Sequence, residues 1–118
     1  MPGNGDAEST IEYRDFLRVD IRAGRIISAD VFKEARKPAL KLTIDFGVLG
    51  IRKSSAQITH HYRPEDLTGK MVIAVVNFPP KQIANFMSEV LVLGLPDEAG
   101  NTVLLSPDFP VNPGARLH

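Results

Sequence analysis

The stretch Leu40-Lys41-Leu42-Thr43-Ile44-Asp45-Phe46-Gly47 alternates apolar and polar residues without a break. Successive side chains of an extended chain point to opposite faces. Leu40, Leu42, Ile44 and Phe46 therefore share one face, and Lys41, Thr43 and Asp45 the other, which describes a half-buried β-strand. Upstream the same period of two holds: Val19, Ile21 and Ala23 point one way, Asp20, Arg22 and Gly24 the other, continuing toward Ile27. Gly24 inside that pattern predicts a bulge or a sharp bend of the kind barrel corners require. Downstream, Gly47 to Gly50 brackets a tight turn into a third strand, Ile51 to Ile58. Ser54 and Ser55 lie in that strand, so one of the two hydroxyls points inward.

The rest of the chain fits around these strands. Residues 1–9 read as a flexible N-terminal tail and residues 10–118 as one domain. Ser9-Thr10-Ile11-Glu12 has the form of a capping box. Tyr13, Phe16 and Leu17 follow at helical spacing, predicting a helix too short to be stable unless it packs on something. Phe32 to Pro38 is polar and basic and ends in proline, a loop. Pro64-Glu65-Asp66-Leu67 reads as one helical turn closed by Gly69. Met71 to Asn77 is a buried strand, and Asn77 to Asn85, with Pro79-Pro80, a loop by composition. Glu89 to Leu95 and Thr102 to Leu105 are further strands, joined by a turn over Pro96 to Asn101.

Five or six short strands, a helical turn between the third and fourth, and no room for βαβ crossovers imply an all-β fold. The economical match is a five-stranded OB-fold barrel with a short N-terminal helix and additional C-terminal strands. Such barrels bind ligands with the face of strands two and three and with the loops joining strands one to two and four to five. Those two loops carry Lys33, Arg36 and Lys37, and Asn77, Lys81 and Asn85.

Composition narrows the function. The 118 residues hold 43% hydrophobic and 24% charged side chains, with 14 basic and 14 acidic groups, so bulk charge does not mark a nucleic-acid binder. The distribution is uneven. From Arg18 to Lys53 there are nine Lys/Arg against four acids, enough for a positive face toward phosphates. With no cysteine there is no disulfide frame, thiolate metal site or cysteine nucleophile, which fits a cytoplasmic protein. No apolar run approaches the ~18 residues needed to span a bilayer, so no membrane insertion is expected. His60 and His61 are adjacent, which sends their rings to opposite sides and makes them poor joint metal ligands. Ser54 and Ser55 lack the Gly-x-Ser-x-Gly elbow, and no Walker or Gly-x-Gly-x-x-Gly loop occurs, so no catalytic set assembles. Phe46 and Phe16 belong to core patterns; Phe32, Phe78 and Phe86 sit in or beside the candidate loops, where packing and base stacking are both available.

Phe16-Leu17-Arg18-Val19-Asp20-Ile21-Arg22-Ala23-Gly24, Arg36-Lys37-Pro38-Ala39 and Ile44-Asp45-Phe46-Gly47 together resemble the tRNA-binding domain family. Lys53-Ser54-Ser55-Ala56-Gln57-Ile58-Thr59 and Val76-Asn77-Phe78-Pro79-Pro80-Lys81-Gln82-Ile83, running on through Met87-Ser88-Glu89-Val90-Leu91-Val92-Leu93-Gly94, are similar to its CsaA branch of secretion-associated chaperones. The likeness runs from about Ile11 to the C-terminus. The related appendages of some methionyl-tRNA synthetases carry a Lys-Met-(Arg/Ser)-Gly type segment where this chain has Ile83-Ala84-Asn85-Phe86-Met87. The resemblance implies a cytoplasmic OB-fold homodimer without cofactor or turnover. Its partners would be unfolded preproteins or signal peptides, with tRNA as the alternative ligand. It places a shared pocket at Ser54, Ser55 and Gln57 with Asn77, Phe78, Lys81, Ser88 and Glu89, and a basic edge at Arg36, Lys37 and Lys41.

Overall fold

Strand β1 (Ile21–Val31) serves two partners, and this sets the architecture of the computed structural model, which describes residues 7–118. Its first half pairs antiparallel with β4 (Met71–Val75), Ile21 opposite Val75 and Arg25 opposite Met71. Its second half pairs with β2 (Leu40–Asp45), from Arg25 opposite Asp45 to Val31 opposite Leu40. The register slips between Ile26 and Ser28, so Ile27 is the bulged residue that bends the strand from one partner to the other. Gly24, the position suspected of bulging, has a different role. A Cβ there would stand 2.6 Å from both Ile44 Cγ2 and Phe46 Cε1, so only glycine lets β1 lie this close to the core.

With β3 (Ile51–Ala56) and β7 (Leu91–Val92) the sheet order is β3-β2-β1-β4-β7, a nearly closed five-strand antiparallel barrel. The alternation of β2 is realised in full: Leu40, Leu42 and Ile44 are buried, Lys41, Thr43 and Asp45 half-buried. Ile26, Phe46, Val72, Ala74, Val90 and Leu104 complete the core around them. The helical turn α2 (Pro64–Leu67) plugs one end with the fully buried Leu67, and the Gly69 amide returns to the Ile26 carbonyl at 2.8 Å.

Two small hairpins ride on the barrel. The segment Asn77 to Asn85, expected as loop, contains β5 (Lys81–Ile83), paired with β6 (Phe86–Ser88). Ala84 takes a left-handed φ of 53° in the two-residue turn between them, a conformation with no glycine to announce it. The strand expected over Glu89 to Leu95 is broken into β7 and β8 (Gly94–Pro96), the latter pairing with β9 (Thr102–Leu104).

The helix α1 (Tyr13–Leu17) forms, but its capping box lies one turn later than Ser9 to Glu12. Because the helix starts at Tyr13, its third residue is Asp15, which accepts from the Glu12 amide at 3.0 Å while the Glu12 carboxylate accepts from the Asp15 amide. Phe16 is only half-buried rather than core, and Tyr13 and Leu17 are exposed, so the apolar face of α1 is uncovered. Residues 1–6 of the expected tail lie outside the described residues; 7–9 are exposed and belong to no element. The C-terminal segment covers the edge of β1 that β2 leaves open. Ala23 donates to Ala115 at 2.9 Å, Gly114 to Ala23 at 2.8 Å, and Leu117 to Ile21 at 2.8 Å. Among the described residues no helix is long and apolar enough to cross a membrane.

Candidate functional site

The outer face of β2 and β3 is polar because its residues are the out-pointing half of two alternating strands. Directly opposed residues share a face, so Lys41 stands beside Ser55 and Thr43 beside Lys53. The β1–β2 loop and the β5–β6 hairpin rise on either side. They are tied by an edge-on contact of the buried Phe32 with Phe86, centroids 5.3 Å apart, and the Lys41 ammonium lies 5.6 Å from the Phe32 ring. Between loop and hairpin runs a groove of about 700 Å³. Arg36, Lys37, Ser55, Gln57 and Lys81, separated by up to 45 positions in sequence, line it together. Lys41 shares the face but is not among the lining residues. Gln82, Ile83, Ala84 and Glu34 also line the groove and were not foreseen; the hairpin that brings the first three carries no periodic signal.

A smaller cleft of about 230 Å³ opens on the other side of Lys81, between Phe78, Pro79, Ser88, Glu89, Val90 and Leu91. Phe78 is 54% exposed, the one loop phenylalanine of the three free to offer a ring face. Ser88 and Glu89 border this cleft, yet their acceptors close the barrel. The Glu89 carboxylate accepts from the Lys53 amide at 2.9 Å and the Ser88 hydroxyl from the Ser55 amide at 3.0 Å. Ser54 points inward, fully buried, and donates to the Val90 carbonyl at 3.0 Å, which takes it out of reach of any ligand. Ser54→Ala would leave that buried carbonyl without its partner and is expected to lower stability by about 1–3 kcal/mol in denaturant melts, with ligand affinity unchanged. Asn77 is likewise structural. Its amide donates to the Arg18 carbonyl at 2.7 Å and its oxygen accepts from the Asp20 amide at 3.0 Å, clamping the junction between α1 and β1.

The perturbed titrations lie away from the groove. The Asp20 carboxyl is held below its ordinary range by the hydrogen bond from Arg22 at 2.6 Å, and that pairing raises Arg22. Arg22 also donates to the Gly114 carbonyl at 3.0 Å, so this pair staples the C-terminal segment to β1. Asp45 accepts from the Gly47 amide at 2.8 Å in the turn that follows β2. Asp97 is lowered by its contact with His61 and by the Asn101 and Ala99 amides. Among the described residues no cluster of His, Asp or Glu could hold a metal ion. The groove thus offers three cations, one acid (Glu34) and neutral hydrogen-bonding groups on a strand face and its loops, an arrangement for binding.

Comparison with known proteins agrees with this layout. Residues 21–116 match the model of the tRNA binding domain family. The chain is similar to the chaperone CsaA of Bacillus anthracis str. Ames, with 53% identity and a TM-score of 0.88 over 93% of this chain and 100% of that one. It is similar also to the CsaA chaperone protein of Picrophilus torridus, with 54% identity and a TM-score of 0.86 over 92% and 100%. Methionine–tRNA ligase 1 of Sorangium cellulosum is 42% identical over 111 residues, 94% of this chain. The chain spans only 15% of that ligase's length, and a similarly small share of the other curated relatives it matches. The family match covers the barrel, both flanking loops and the C-terminal strap that completes β1, and with them every residue that lines the groove. On that ground the chain belongs to the tRNA binding domain family, in a form similar to the CsaA chaperones.

Proposed function

We propose that this protein is a non-catalytic binding module whose groove takes tRNA. The observation that carries the reading is the convergence of Arg36, Lys37 and Lys81 around the polar outer face of β2 and β3. Lysine and arginine meet backbone phosphates, while Ser55, Gln57 and Gln82 supply donors and acceptors for unstacked base edges. The exposed ring of Phe78, beside Lys81, offers a stacking platform.

Sequence resemblance ranks preprotein binding first, and the likeness to two CsaA chaperones supports it as the second reading. The sizes of the two openings support tRNA as the first reading. The apolar cleft at Phe78 and Leu91 holds about 230 Å³, short of the ~300 Å³ at which ligand pockets usually begin, whereas the basic-edged groove is about 700 Å³. The uncovered apolar face of α1, with Tyr13 and Leu17 exposed, supports a homodimer in either reading.

A salt titration of binding, with labelled bulk tRNA and a labelled unfolded signal-peptide segment followed in parallel by fluorescence anisotropy, separates the two. With four cations (Arg36, Lys37, Lys41, Lys81) near phosphates, log affinity for tRNA is expected to fall with log salt at a slope near −3, from about 0.7 per contact. A flat tRNA response with tight, salt-insensitive peptide binding would replace this reading with the chaperone one.

A further inference from the structure

The groove does not end at Gln57. A second opening of about 370 Å³ adjoins it across Lys37 and Gln57, which line both. Its other walls are Thr59 and His60, just beyond β3, Asn101 from the β8–β9 turn, and Thr102, the first residue of β9. These residues come from three separate segments, and among the described residues no hydrogen bond occupies the side chains of Lys37, Gln57, Thr59 or Asn101. Lys37, Gln57 and Thr59 are exposed, so these polar groups face the opening and are free to meet a ligand there.

The far wall is built to stay in place. Asp97 Oδ1 accepts from the amides of Ala99 at 3.0 Å and Asn101 at 2.9 Å, and the Asp97 amide donates to the Asn101 carbonyl at 2.8 Å. Its second carboxylate oxygen lies 2.6 Å from His61 Nε2, which ties the turn to the segment carrying Thr59 and His60. The turn is therefore locked from within and from outside, and Asn101 sits on a fixed frame. The same bonds surround the Asp97 carboxylate with donors, and Glu98, the other acid of the turn, is exposed to solvent.

We propose that this opening is the subsite for the next nucleotide of the RNA strand held in the groove. The base edge would be read by the side-chain amides of Gln57 and Asn101, and the intervening phosphate held by Lys37. Each amide offers a donor and an acceptor side by side, the pattern that pairs with the edge of an unstacked base. Lys37 lines both openings, so a phosphate bridging two adjacent nucleotides would pass beside its side chain. The inference rests on the groove being an RNA site.

The test compares Asn101→Ala with Lys81→Ala in the full chain, using labelled bulk tRNA across a salt series. Asn101→Ala is expected to weaken binding about five- to fifty-fold without changing the salt slope, since it removes a base contact and no charge. Lys81→Ala is expected to weaken binding and make the slope shallower by about 0.7. Wild-type affinity in Asn101→Ala alongside the Lys81→Ala loss would overturn the subsite and leave the groove reading standing. Wild-type behaviour in both would sink the groove reading, and the subsite with it. Because Asn101 belongs to a structured turn, a variant-free measurement accompanies these. The side-chain amide resonances of Gln57 and Asn101 in the unaltered protein should both move on saturation with tRNA, and an unmoved Asn101 amide would refute the contact.

Discussion

Phe46→Ala is expected to remove about 3–5 kcal/mol of stability, read as a lower denaturant midpoint with an unchanged slope. Domains of this size have about 5–15 kcal/mol in total, so the substitution brings the protein close to its unfolding threshold. The reason lies in what the ring touches. Phe46 is fully buried at the end of β2, packed under β1 at the one place where that strand has no side chain. A Cβ on Gly24 would stand 2.6 Å from Phe46 Cε1, so the ring fills the space that the glycine leaves. Gly24→Ala alone should therefore be destabilising by about 1–3 kcal/mol through overpacking. Combined in one chain, the two changes should cost less than their sum, because the cavity left by the ring relieves the methyl group's contacts with Phe46, while its 2.6 Å approach to Ile44 Cγ2 remains. Simple additivity in that double-mutant cycle would mean that the close approach of β1 to Phe46 is not what stabilises the barrel corner.

The second large effect is on binding. Arg36→Ala with Lys81→Ala should lower tRNA affinity on the order of ten-fold at physiological salt and bring the salt slope from near −3 to about −1.5. Both side chains are exposed, Arg36 in the β1–β2 loop and Lys81 at the start of the β5–β6 hairpin, so stability should stay within about 0.5 kcal/mol of the parent. They stand on opposite banks of the groove. A ligand spanning it must lose contacts with both, whereas a peptide seated in the cleft at Phe78 touches only the Lys81 side. Loss of tRNA affinity with an unchanged slope would show that the phosphates are held elsewhere, and loss of peptide binding of the same size would move the chaperone reading to this groove.

The barrel was legible in the sequence wherever its signal was local. The period of two over Leu40 to Phe46 depends only on neighbouring residues, and it correctly placed four buried and three half-buried side chains. The same alternation sends Ser54 inward and Ser55 outward, and only the second lines the groove. Arg36, Lys37, Gln57 and Lys81 were legible through their loops and strand face, since a barrel of this order puts those loops side by side. The hairpin of β5 and β6 was not. Three-residue strands are too short to show a period, and the turn at Ala84 lacks the glycine that would have marked it.

What the tertiary structure decided is which polar residues remain available to a ligand. In sequence Asn77 stands where an expected strand passes into a loop, Ser88 falls between expected elements and Glu89 opens the next expected strand, and nothing local marks any of them as a structural partner. Asn77 bonds to partners 57 and 59 positions away, and Ser88 and Glu89 to amides 33 and 36 positions away. No local pattern encodes such partners. Asn77 serves the α1–β1 junction, while Ser88 and Glu89 serve β3 amides where the chain before β7 lies against that strand, because buried or half-buried backbone groups are not left unpaired. Side chains fill those positions, so these polar atoms of Asn77, Ser88 and Glu89 already serve the fold. Local alternation thus determined the strands and their faces, while chain closure, which brings distant hydrogen-bonding groups together, determined what was left over to form the site.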